Sequence, residues 1–172
     1  MRIYAGIDPG LQGGIVAITE KGQMKSWKMP ITKAGIDANG LFKLFGGLKT
    51  KAEVIIIIED VHSIFGVSAS ANFTFGFVCG AIEAIVIAHE LRFIKVAPKT
   101  WQKELWISSD IQYKPLKEGK TKASVDTKQT SQLTAKRLFP TFDFRGTERS
   151  KKDHDGIIDA ALLAEYGRRK NI

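Results

Sequence analysis

The sequence predicts an α/β domain built on a mixed β-sheet, and three observations carry that prediction. Near the N-terminus, three strand-like stretches are joined by turns so short that they imply an antiparallel meander. The run Glu53 to Ile58 is almost unbroken aliphatic, as expected of a strand covered on both faces, which is the parallel kind. Helix-like segments separate and follow these strands, and that alternation places helices on the sheet faces.

RIYAGID reads as a strand ending at Asp8, followed by the turn-formers Pro9 and Gly10. Gly13-Gly14 leads into a second strand, IVAIT, and Lys21-Gly22 turns the chain into QMKSWKMP. Asn39, Leu41, Leu44 and Phe45 belong to a helix over about 34–49 that Gly46-Gly47 is expected to end. The aliphatic strand then closes on two adjacent carboxylates, Glu59 and Asp60. Residues 72–91 predict a long helix whose Gly76, Gly80 and Ala84 recur every four positions, a smooth face suited to the sheet or to a second subunit. RFIKVAP is a further strand, and PKTWQKELW a short helix with Pro98 near its first turn. Residues 107–127 lack apolar periodicity and are rich in Lys, Ser and Thr, so a mobile basic loop is expected. KQTSQLTAKRLFP predicts an amphipathic helix stopped by Pro140. DHDGIIDAALLAEYGRR predicts a final helix, apolar around most of its circumference and closed by Gly167 and basic residues. With no internal repeat and no linker, residues 1–172 read as a single domain.

Composition narrows the function classes. The chain of 172 residues has a formal charge of +8, and residues 95–152 hold 14 Lys and Arg against 6 Asp and Glu, a surplus equal to the whole. A basic segment beside near-neutral remainder suggests a polyanionic partner, nucleic acid or an anionic membrane surface, with a solvated basic face as the plain alternative. The single cysteine, Cys79, excludes an internal disulfide and a Cys-rich zinc cage; a core thiol is the expectation. His62, His89 and His154 lack the spacing of a His-built zinc site. No run is expected to span a membrane and no leader opens the chain, so a reducing, cytoplasmic setting is expected.

Three acids stand out. Asp8 closes the first strand, Glu59 closes the aliphatic strand, and Asp159 interrupts the apolar run of the last helix. An unpaired carboxylate in such a place costs several kcal/mol or takes up a proton, so positive charge is expected nearby. Asp155 precedes Asp159 by four residues and shares its helix face. A hard divalent cation would offset the repulsion, since Mg²⁺ takes oxygen ligands and is commonly held by a few carboxylates plus phosphate. Two such ions, about 4 Å apart, would serve both sides of a phosphodiester displacement. Each acid also has a plainer role open to it: Asp8 as a turn former, Glu59 as a lysine partner, Asp155 or Asp153 as a helix cap. No Ser, Tyr or Cys is expected beside the acids, which favours direct attack by water over a covalent intermediate.

IDPG at 7–10, the aliphatic strand closing in Glu59, APKTWQK at 97–103 and HDGIIDAALLA at 154–164 together resemble RuvC-like Holliday junction resolvases, especially the compact phage-borne branch. The order, spacing and nearly the whole chain fit. The resemblance implies the RNase H-like fold, with a five-stranded sheet in order 3-2-1-4-5, and a homodimer joined through the helix at about 72–91. It implies that the chain nicks two opposed strands of a four-way DNA junction with Mg²⁺ or Mn²⁺, two ions per site, and takes no nucleotide cofactor; the setting would be the host cytoplasm if the chain is phage-encoded. Asp8, Glu59, Asp155 and Asp159 fall on the family's catalytic, metal-binding carboxylates. Bacterial members commonly space the last pair as DxxD, whereas here it is DxxxD, which leaves Asp153 as an alternative partner for Asp159. Phe65 in HSIFG falls near the aromatic wedge of the family, with a core contact as the alternative. Lys103 and Lys128 resemble its phosphate contacts, and Lys99, Lys120, Lys122, Arg149, Lys151 and Lys152 extend the expected DNA-binding set.

The rival readings are a ribonuclease of the same fold acting on RNA/DNA hybrids and a silent branched-DNA-binding module. An actin-like phosphotransferase would need roughly twice the length and a second glycine-rich phosphate loop.

Overall fold

The computed structural model describes residues 1–50, 52–62, 66–116, 118 and 121–172. Its main sheet has five strands: β1 (Arg2–Asp8), β2 (Gly14–Thr19), β3 (Met24–Lys28), β6 (Glu53–Glu59) and β7 (Arg92–Val96), in the order β3-β2-β1-β6-β7. The first three pair antiparallel, and β6 and β7 run parallel to β1. This is the predicted mixed sheet and the predicted strand order. A small hairpin, β4 (Ile31–Thr32) with β5 (Gly35–Ile36), lies outside it and was not foreseen.

The described residues also form the helices α1 (Ala38–Lys49), α2 (Ala69–Ala88), α3 (Pro98–Leu105), α4 (Thr127–Leu138) and α5 (Asp155–Lys170). The aliphatic run of β6 is explained by two layers. Val54, Ile56 and Ile58 join Leu41 and Phe45 of α1 and Val78, Ile82 and Val86 of α2, whereas Ile55 and Ile57 join Trp101, Ala135 and the apolar face of α5. Strand side chains alternate between faces, so Glu59 follows Ile55 and Ile57, and Asp8 follows Tyr4 and Gly6, onto the α5 side. Each buried Ile or Leu contributes roughly 1.5–3 kcal/mol, which makes a slipped register untenable.

Several expected boundaries shift. The hairpin consumes residues 31–36, and Asp37 caps α1 by accepting from the Gly40 amide at 2.9 Å. Gly46-Gly47 lies inside α1 instead of ending it; a Cβ on Gly46 would meet the His89 ring at 3.2 Å. Ser68 caps α2 three residues earlier than expected, by accepting from the Ala71 amide. Gly167 is likewise internal to α5, which ends at left-handed Asn171; a Cβ on Gly167 would fall 2.6 Å from Ile57. Gly46 and Gly167 thus serve close packing, not helix termination, whereas Gly47 faces open space.

The expectation that no run could span a membrane fails on α2, which is long and apolar enough by length and composition. Asn72, Thr74 and Glu83 break the run without lowering its mean hydropathy enough. Only Val78, Ile82 and Val86 are buried, while Phe73, Phe77 and Ile87 are exposed. Gly76 and Gly80 have nothing within 4 Å of a built Cβ, so the small-residue face points away from the sheet.

Residues 107–116 and 121–127 are more ordered than the expected loop over 107–127. A 3₁₀ turn at Ser108–Asp110 sets Asp110 against Arg137, whose Nη2 lies 2.7 Å from Oδ2, and against Thr134, whose hydroxyl donates at 2.9 Å. Asp110 is buried, and this pairing holds its carboxyl below the usual carboxylate range.

Candidate active site

Parallel pairing carries Asp8 and Glu59 to one edge. The register runs from Arg2 opposite Glu53 to Ile7 opposite Ile58, so the next step sets Asp8 beside Glu59 where the strands end. α5 then crosses this face in near-backbone contact. A Cβ on Gly14 would meet the Gly156 carbonyl oxygen at 2.7 Å, and Gly13 and Gly156 form an isolated parallel bridge. With its first turn held there, α5 delivers Asp155 and Asp159 to the ends of β1 and β6.

The result is a cleft of about 620 Å³ lined by Asp8, Gly10, Gln12, Lys128, Asp153, His154, Asp155 and Asp159, among others. The acids act on one another. Burial first, then the charges of Asp159, Glu59 and Asp155, pushes Asp8 well above the usual carboxylate range. Burial, then Glu59, pushes Asp159 up to about 7, against the opposing hydrogen bond from Ser131. Burial also raises Glu59, and the Trp101 hydrogen bond opposes that rise. Burial and the neighbouring negative charges therefore both favour the protonated forms of Asp8 and Asp159 in the protein alone, because each added negative charge worsens the next.

Each acid except Asp8 has a local partner among the described residues. Trp101, buried on α3 and packed edge-on against Trp106 at 6.1 Å, donates Nε1–H to Glu59 Oε1 at 3.0 Å. Lys128, in the first turn of α4, forms an ion pair with Asp155. Asp153 is turned toward α4, where Gln132 donates to it at 2.9 Å and Lys136 pairs with it at 2.9 Å. It is Asp155, not Asp153, whose charge acts on Asp8 and Asp159. Neither aspartate caps α5: His154 does, its Nδ1 accepting from the Ile157 amide at 3.3 Å.

The oxygen-only donor set suits a hard divalent cation. Among the described residues, however, no group of three or more His, Cys, Asp or Glu side chains is drawn together tightly enough to hold an ion as it stands. The Lys128 ammonium instead supplies Asp155 with its counter-charge.

Lys99, Lys103, Lys122, Arg149, Lys151 and Lys152 are exposed, and Lys151 and Lys152 line a second hollow of about 470 Å³ with Gln132, Lys136, Asp153 and Asp155. Lys128, expected as a phosphate contact, stands in the acidic cleft itself. Phe65 and Lys120 lie outside the described residues. Trp101, Ser131 and His154 were not foreseen as parts of the site. Ser131 corrects the expectation that no serine accompanies the acids, but it is buried and hydrogen-bonded to Asp159, a supporting group and not an exposed nucleophile. The quoted APKTWQK pointed toward Trp101; nothing local marked Ser131. Cys79 is half-buried on α2, and burial pushes its thiol up, away from nucleophilic use.

No protein-family model and no curated protein matches the sequence. Solved structures do match the fold. Thermus thermophilus RuvC in complex with Holliday junction substrate gives a TM-score of 0.59 at 12% identity, covering 99% of this chain and 96% of that one. T. thermophilus RuvC in a second structure gives 0.53 at 16% identity, covering 98% and 96%. The yeast mitochondrial Holliday junction resolvase gives 0.52 at 14% identity, covering 96% of this chain and 77% of that one. The five-stranded mixed sheet flanked by helices is thus the RNase H-like arrangement that the RuvC structures share.

Proposed function

We propose that the protein is a metal-dependent endonuclease that resolves four-way DNA junctions by paired nicks. The observation that carries the reading is the convergence of Asp8, Glu59, Asp155 and Asp159 on one sheet edge within a RuvC-like fold. Mutually raised acids beside a basic surface are what a site built for cations and phosphates requires, and a module that only binds DNA gains nothing from them.

Asp8, Glu59, Asp155 and Asp159 would hold Mg²⁺ or Mn²⁺. Once bound, such ions lower the pKa of an attacking water and stabilise the leaving oxygen of the phosphodiester. The chain's own groups set the stage. Trp101 fixes the orientation of Glu59 and favours its charged form. Ser131 steadies Asp159. Lys128 balances Asp155 in the free protein, and its ammonium would serve a substrate phosphate at the same cleft. Lys99, Lys103, Lys122, Arg149, Lys151 and Lys152 hold the flanking backbone, contacts that set affinity without reading sequence.

Two active sites acting on opposed strands require two copies of the chain. The face of α2 that carries Phe73, Gly76, Phe77, Gly80 and Ala84 is apolar and exposed, and small residues at every fourth position let two helices approach closely. We assign the homodimer contact to this face.

The test is cleavage of a synthetic immobile four-way junction in Mg²⁺ and in EDTA, with linear duplex, fork and RNA/DNA hybrid as controls and Asp8→Asn alongside. Symmetric nicks in the junction alone, abolished by EDTA and by Asp8→Asn while binding persists, are the expected result. Preferred cutting of the hybrid would reassign the chain to the ribonucleases, and EDTA-insensitive cleavage would remove the metal from the mechanism.

A further inference from the structure

We infer that residues 112–116 and 121–125 form the bridged, anchored stem of an arm that grips the substrate beside the cleft, with Tyr113 stacking on a nucleobase. The inference rests on the branched-DNA reading above and adds to it a site, a contact type and a residue.

The arm has a defined stem. Tyr113 and Val125 form an antiparallel bridge, the Lys114 amide donates to the Ser124 carbonyl at 2.9 Å, and the Asp126 amide donates to the Gln112 carbonyl at 2.8 Å. Both feet of the stem are fastened. The Gln112 amide donates to the Thr130 hydroxyl at 3.0 Å, and Asp126 caps α4 by accepting from the Gln129 amide at 3.1 Å. Two residues before Gln112, buried Asp110 is locked to Arg137 and Thr134 of the same helix. The arm is therefore mounted on α4, the helix that also places Lys128 and Ser131 in the acidic cleft.

What the arm presents is chemically selective. Tyr113 is 63% exposed and Leu116 60% exposed, although both are large apolar side chains. Residues 112–125 carry four lysines and a single glutamate. A lysine-rich stretch of sequence that exposes an aromatic ring fits a nucleic acid strand: cations meet phosphates, and the ring offers a face to a base that has left its stack. A protein partner would gain little from so many lysines, which are depleted at protein interfaces. At a branch point, bases at the ends of helical arms are the ones a ring can reach without opening a continuous duplex.

The experiment uses the full chain with Asp8→Asn in EDTA, so that binding is read without cutting. The probe is a four-way junction with 2-aminopurine next to the branch point, and a single-stranded oligonucleotide serves as a second probe. Tyr113→Ala is expected to weaken junction binding about tenfold and to abolish a fluorescence change that Tyr113→Phe retains. Tyr113→Leu keeps apolar bulk without an aromatic face and is expected to behave like Tyr113→Ala. Lys114→Gln with Lys122→Gln should lower the steepness of the salt dependence by about one to two contacts. Because Tyr113 is exposed, unchanged thermal midpoints will show that these variants fold. If Tyr113→Ala binds and quenches like its parent, and the chain with Asp8 intact cuts the junction in Mg²⁺ in a parallel assay, the arm is overturned and the resolvase reading stands. If Tyr113 matters for the single strand but the junction is neither preferred nor, with Asp8 intact in Mg²⁺, cut, the arm stands and the resolvase reading falls. Binding to neither probe overturns both.

Discussion

Gly6 on β1 lies so close to α5 that a Cβ there would fall 2.0 Å from the carbonyl oxygen of Ala160 and 2.5 Å from the amide nitrogen of Ala164. Both are backbone atoms, which cannot rotate aside. The absence of a side chain at position 6 is what lets α5 seat on the sheet and bring Asp159 to Asp8. Gly6→Ala is therefore expected to cost about 3 kcal/mol or more through overpacking. Urea unfolding followed by circular dichroism will check this, and a midpoint within error of the parent would contradict the close seating of α5.

Trp101→Phe keeps most of the buried ring and deletes the Nε1–H that Glu59 accepts at 3.0 Å. That hydrogen bond lowers the Glu59 pKa against the effect of burial, so its removal should raise it further. The charged form of Glu59 then appears only at higher pH. In a pH–rate profile of junction cleavage the acid limb of Trp101→Phe should move to higher pH, with activity recovering on the alkaline side. A loss of rate uniform across pH would make Trp101 a packing residue alone.

Asp159 gives a stability prediction with an unusual sign. Its carboxyl titrates at about 7 in the folded chain against an ordinary value of 3.8. The folded state therefore binds the proton more tightly than the unfolded one, and the stability this contributes is present below pH 3.8 and lost as pH rises through about 7. In EDTA the thermal midpoint should be lower at pH 8 than at pH 5. Asp159→Asn should flatten that difference, and Mg²⁺ at pH 8 should restore the midpoint of the parent by binding only the folded form. A parent midpoint higher at pH 8 than at pH 5 in EDTA would show that the acids are not mutually destabilising.

The antiparallel meander was legible because Pro9-Gly10 and Lys21-Gly22 make turns too short for anything else, and the parallel character of β6 because its run is aliphatic on both faces; the full strand order came only from the family resemblance. Asp8, Glu59 and Asp159 were legible because each ends or breaks an apolar run. Their supports were not, since Trp101 and Glu59 stand 42 residues apart and no local pattern joins them. Gly46-Gly47 and Gly167 misled for a related reason. A helix-ending glycine and a glycine that admits a neighbour look alike in sequence, and only the nearness of His89 and Ile57 separates them. The stem of the 112–125 arm was hidden because it is held from below, by Thr130, Thr134 and Arg137, and not by its own periodicity.

The α2 face tests the dimer without touching the site. Phe73 is 77% exposed and Phe77 62% exposed, so replacing either removes little packing within one copy of the chain. Phe77→Asp should leave the thermal midpoint of a dilute sample close to the parent's while placing a desolvated charge in any contact between two α2 helices. In analytical ultracentrifugation the parent should sediment as a dimer and Phe77→Asp as a monomer. On the junction, the variant should lose the coordinated second nick before it loses the first, since each copy keeps its own Asp8, Glu59, Asp155 and Asp159. A parent that is monomeric at all concentrations, yet still cuts opposed strands together, would move the dimer contact away from α2 or onto the DNA.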